Sequence, residues 1–92
     1  MKSAYELAIE RLNRTSPIKK LTDAQKTELA EMDSIYAARI AEREIALTKD
    51  IRTAEIKGDV ETAEQARRTL AAERAKLQAE LETKKDRIRA KA

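Results

Sequence analysis

The chain has no histidine, no cysteine, no phenylalanine and no tryptophan, and only one glycine and one proline in 92 residues. Each absence removes a class of chemistry. Without His or Cys there is no zinc finger, no thiol nucleophile, no imidazole acid–base catalyst and no disulfide framework. A single glycine excludes the Gly-rich loops that cradle phosphates. Carboxylate-bridged di-metal centres in helical bundles need Glu-x-x-His pairs, which are absent, so no cofactor, metal or small-molecule substrate is expected. The longest apolar run, Ile35–Ala38, is far too short to span a membrane. Glu6 and Glu10 interrupt the stretch where a signal peptide needs unbroken apolar residues, so the reading is a soluble, cytoplasmic protein.

What is present points to helices. Lys and Arg total 20 against 17 Asp and Glu, so 40% of the chain is charged with a net charge of only +3. The hydrophobic fraction of 41% contains 17 alanines, which leaves 21 larger apolar side chains. A chain rich in Ala, Glu, Lys, Leu and Arg, and poor in turn residues, has the composition of long helices or coiled coils. The fold class is therefore all-α.

Breakers and caps divide the chain. Residues 2–14 form an amphipathic helix in which Ser3 caps the start with Glu6 three residues on, and Tyr5, Ala8, Ile9 and Leu12 share a face. Thr15, Ser16 and Pro17 interrupt the pattern, and Pro17 disfavours helix at the residue before it. Thr22 and Gln25 make a second capping box, after which the helical pattern runs unbroken to Lys57. Gly58 is the one residue able to take a left-handed C-cap without steric cost, and Asp59 is a good N-cap for a third helix. The chain thus divides into residues 1–21, a helix with a Pro-containing linker, and residues 22–92, an antiparallel hairpin turning at Gly58 and Asp59.

The register follows from two matched stripes. Leu29, Met32, Tyr36, Ile40, Arg43, Leu47, Ile51 and Ala54 repeat the spacing of Ala63, Ala66, Leu70, Arg74, Leu77, Leu81, Lys85 and Ile88. Folding at Gly58 sets Leu29 against Ile88, Tyr36 against Leu81, Leu47 against Leu70 and Ala54 against Ala63, every pair of numbers summing to 117. The stripe repeats every 11 residues, which predicts a coiled-coil-like arm that is nearly straight or slightly right-handed. Small residues near the tip predict close helices there. Arg43 and Arg74 face each other mid-arm, with Glu42, Glu44 and Glu73 available to neutralise them.

Two surfaces are candidates for contact. Ile35, Ala38, Ile45 and Ile56 form a second apolar set opposite the seam of the first long helix. The N-terminal helix is expected to fold back over the nearer part. Ile56 lies beyond its reach, which implies a second copy of the chain, with a dimer favoured, or a helical partner. The other candidate is the open end of the hairpin: residues 1–20 carry a net +3 and residues 83–92 a net +4, against −4 for the arm between. Lys19, Lys20, Lys84, Lys85, Arg87, Arg89 and Lys91 are candidate phosphate contacts, through backbone charge only because aromatic stacking residues are nearly absent. The bland alternative is that cations in a final turn complement the helix dipole.

The tip gathers Glu55, Asp59, Glu61 and Glu64. The segment Gly58-Asp59-Val60-Glu61-Thr62-Ala63-Glu64 resembles the tip of bacterial transcript-cleavage factors of the Gre type. There, an Asp after the glycine and a Glu three residues on act in the polymerase secondary channel. The resemblance spans under ten residues, and the position three after Asp59 holds Thr62, so capping of the turn is the preferred reading. The functional expectation is a non-enzymatic interaction or scaffold protein that self-associates through the second apolar stripe. The alternative is a small accessory factor of a nucleic-acid machine, such as the ribosome or RNA polymerase, anchored by its basic open end.

Overall fold

The computed structural model describes residues 3–15 and 20–91, with the side chains of 12–15 left undescribed. It contains three helices: α1 (Ala4–Thr15), α2 (Asp23–Ile56) and α3 (Val60–Ala90). The two long helices pack as an antiparallel hairpin, and no strand occurs among the described residues. The protein is elongated, with principal extents of 62 × 32 × 18 Å.

Local chemistry sets each boundary. The Ser3 hydroxyl accepts the Glu6 N–H at 3.1 Å at the start of α1. Thr22 and Gln25 make a complete capping box at the start of α2: Gln25 N–H donates to Thr22 Oγ1 at 3.1 Å and Thr22 N–H to Gln25 Oε1 at 2.8 Å. At the other end of α2, Gly58 sits at φ +73°, in the left-handed region where a Cβ is disfavoured. The Asp59 N–H reaches back to the Ala54 carbonyl at 2.8 Å and the Gly58 N–H to Glu55 at 3.0 Å, which together form a Schellman motif. Asp59 then opens α3 by accepting the Thr62 N–H at 3.1 Å. One glycine and one aspartate thus end a 34-residue helix and begin a 31-residue one.

The seam has the register read from the sequence. Every stripe position except Arg43 and Arg74 is buried or half-buried, and the most enclosed are Tyr36, Leu47, Ala54, Ala63 and Ile88. Ala54 and Ala63 are 4% and 1% exposed, as alanines become only where two backbones lie close, in keeping with the small residues at the tip. Polar bonds flank the seam on both sides of the same register. Arg43 pairs with Glu73 and Tyr36 with Glu80, one number below the seam sum, while Glu44 pairs with Arg74 and Asp33 with Lys85, one number above it.

The N-terminal helix departs from expectation. Among the described residues α1 packs against neither long helix. Tyr5, Leu7 and Ile9 are exposed, so α1 does not cover the near part of α2. The near part of the α2 face that was to receive it is interrupted by polar residues: helical spacing sets the exposed Glu31, Ser34 and Glu42 among Ile35, Ala38 and Ile45.

Candidate interaction surfaces

The arginine pair at mid-arm is neutralised from across the seam. Arg43 makes a two-point fork onto Glu73, Nε to Oε2 at 2.5 Å and an NH2 nitrogen to Oε1 at 3.1 Å. Arg74 Nε donates to Glu44 Oε1 at 3.0 Å. The bond and charge of Glu73 raise the Arg43 pKa further above its ordinary value. All four side chains are well exposed, so the pairs fix register more than they add stability. Glu42 lines the shallow groove beside them without entering a fork.

The apolar set on α2 is exposed where the sequence placed it. Ile45 is 73% and Ile56 80% exposed, Ile35 is less so, and Ala38 is also at the surface. Ile45 sits in a shallow recess with Glu44, Thr48, Lys49 and Arg52. Helical periodicity places Ala38, Ile45 and Ile56 on the side of α2 away from α3, with Ile35 turned toward one flank. Val60 and Leu7 join the exposed large apolar residues. Val60 was legible in principle, since the residues flanking the one glycine must lie at the tip.

The basic end is brought together only in part. Lys19 lies outside the described residues. Lys85 is spent inside the fold: its Nζ donates to Asp33 at 2.9 Å and its side chain is only 16% exposed. Arg89 pairs with Asp86 at 3.0 Å and Lys91 lies 3.8 Å from Glu28. Lys20, Lys84 and Arg87 are exposed and make no ion pair among the described residues. Lys84 lies over the Tyr36 ring, 5.2 Å from its centroid, and Arg39 lies over the same ring at 4.9 Å.

At the tip three of the four carboxylates, Glu55, Asp59 and Glu64, have partners. Thr62 donates its N–H and its hydroxyl to the two oxygens of Asp59, at 3.1 and 2.6 Å, and these bonds hold the Asp59 pKa below its usual value. Glu55 and Glu64 converge on Arg67, the second at 2.7 Å. Among the described residues no group of three acidic, His or Cys side chains is arranged to hold a metal ion. Asp59 therefore serves as a helix cap, the reading preferred from the sequence over the likeness to transcript-cleavage tips. No described helix is long and apolar enough to cross a membrane. Compared with protein-family models, curated proteins and solved structures, the chain has no significant match.

Proposed function

We propose that the chain is a non-enzymatic scaffold that meets a second copy of itself through the outer face of α2. What carries this reading is the exposure of Ile45 and Ile56 on the side of α2 turned away from α3, while the large apolar residues of the two matched stripes are buried or half-buried in the seam. Burying an aliphatic side chain of that size is worth about 1.5–3 kcal/mol, so two copies that covered both isoleucines twice would gain substantially. An antiparallel approach of two α2 helices that sets Ala38 of one copy against Ile56 of the other supports it. That register also sets Glu42 opposite Arg52, and Ile45 against the methylene stem of Lys49.

Sedimentation equilibrium is the test. Self-association requires twice the 10.4 kDa chain mass. Replacing Ile45 and Ile56 together with Asp should return the single-chain mass without loss of helicity. Glu42→Arg or Arg52→Glu alone should weaken association, and the two together should restore it. A wild-type protein that sediments as one chain at high micromolar concentration would overturn the proposal.

A further inference from the structure

The cations of this hairpin are sorted by side. On α3, Arg67, Arg74, Lys85 and Arg89 follow one helical stripe, and each is matched with a carboxylate: Glu55 and Glu64, Glu44, Asp33, and Asp86. Lys76, Lys84 and Arg87 follow another, and none makes an ion pair among the described residues. These three line one groove with Glu80. Arg39 extends the row onto α2, since it lines the adjoining groove with Lys76 and shares the Tyr36 ring with Lys84. The acids in this row are Glu42, Glu73 and Glu80; Glu73 is held by the Arg43 fork and Glu80 is turned toward the Tyr36 hydroxyl at 3.4 Å. Four cations without a carboxylate partner among the described residues thus follow one flank of the arm.

We infer that this flank, Arg39, Lys76, Lys84 and Arg87, is a binding surface for the phosphate backbone of a nucleic acid. The spacing suits a row of phosphates. Lys76 and Arg87 are 11 residues apart, about 16 Å along a helix at ~1.5 Å per residue. That length matches about five base-pair steps along a duplex axis at ~3.4 Å per step, so the cations can reach phosphates on both sides of a groove. The long helices hold the four cations on a rigid edge, so they meet a linear polyanion together. A lipid surface fits less well, because Tyr36, the aromatic at the centre of the row, is 1% exposed and offers no ring for insertion. With no exposed aromatic on this flank to stack on bases, the surface reads charge and not sequence. This inference is independent of self-association through Ile45 and Ile56.

The experiment is fluorescence anisotropy of the full chain titrated onto a labelled 20-base-pair DNA duplex over a series of salt concentrations. Four phosphate contacts give a log–log salt slope of about −3 to −4. Lys76→Ala with Arg87→Ala, neither of which touches the seam, should weaken binding about tenfold or more and reduce the slope to about −2. The control is Lys26→Ala with Arg68→Ala, two exposed cations that lie off this flank and off the outer face of α2 and make no ion pair among the described residues, which removes the same net charge. It should weaken binding less than about threefold. Circular dichroism melting should show both variants folded as wild type is. Equal losses in the two variants, a flat salt dependence, or binding to phosphatidylserine vesicles but not to the duplex would each overturn the inference.

Discussion

Gln25 and Ile88 lie 63 positions apart in the chain and share a hydrogen bond across the open end of the hairpin. The Gln25 side-chain nitrogen donates to the Ile88 carbonyl at 3.0 Å and to the Lys91 carbonyl at 2.6 Å, while its oxygen accepts the Thr22 N–H. One amide therefore completes the N-terminal cap of α2 and bonds two carbonyls at the end of α3, that of Lys91 and that of Ile88, which also accepts the Lys91 N–H at 3.2 Å. The start of one long helix and the end of the other are fastened by a single side chain.

Replacing Gln25 with Ala should consequently fray both helices at once. Loss of a capping interaction of this kind costs about 1 kcal/mol. Glu at the same position keeps the acceptor and loses the donor, so it should retain the α2 cap while releasing α3. Amide hydrogen exchange distinguishes the two: Ala should speed exchange near residues 23–26 and 88–91, Glu only near 88–91. Protection unchanged in both variants would mean that the bond does not hold the end.

The turn gives a second test. An ideal Cβ built on Gly58 meets nothing within 4 Å, so any penalty for a side chain there comes from φ +73° alone. Gly58→Ala should cost about 1–2 kcal/mol, and Gly58→Leu a similar amount, because space is not limiting. Gly58→Asn should cost less, as Asn tolerates the left-handed region. Thermal or urea melts of the three variants check this order. A strong dependence on side-chain size would contradict it.

How much of this was legible depends on whether the signal was local or periodic. The caps at Thr22 and Asp59, the turn at Gly58 and the full register were readable, because two matched stripes about one glycine admit a single pairing. Of the three acids read beside Arg43 and Arg74, Glu73 and Glu44 are their partners and Glu42 is not. The fate of α1 did not. Tyr5 and Ile9 share a face whether or not anything covers it, and periodicity within α1 cannot show that Glu31, Ser34 and Glu42 interrupt the receiving surface on α2. The sidedness of the charge was hidden for another reason. Counting charge by segment put Lys84 and Lys85 in one basic end, although their side chains leave α3 in different directions and only Lys85 finds an acid. Asp33 sits one position off the seam and was available as the sign of that pairing.

Seam packing gives a third prediction. Leu47 is buried mid-arm opposite Leu70, where a two-helix seam has no third element to close a void. Leu47→Ala should cost about 2–3 kcal/mol, toward the lower part of the range for buried leucine because one side of the seam opens to solvent. Ile45→Ala on the outer face should cost the single chain little. Chemical denaturation of the two variants, at concentrations low enough to keep the chain monomeric, compares them directly. Equal losses would mean that Ile45 is packed within the chain after all.

Acid should weaken the turn through Asp59. Two bonds from Thr62 hold its folded-state pKa below the ordinary aspartate value of 3.8. A carboxylate depressed in this way contributes stability that is fully present above the unfolded value and is lost as pH falls through the folded value. The sensitive window therefore lies below about pH 4. Asn at position 59 caps as Asp does but does not titrate, so wild type should exceed Asp59→Asn in stability at neutral pH by a margin that narrows in acid. Thr62→Val removes the hydroxyl donor and should move the Asp59 titration back toward 3.8. Carbon-detected NMR titration of the Asp59 carboxyl measures the shift directly. A midpoint at or above the ordinary value in wild type, or one that Thr62→Val leaves unmoved, would remove Thr62 as the cause.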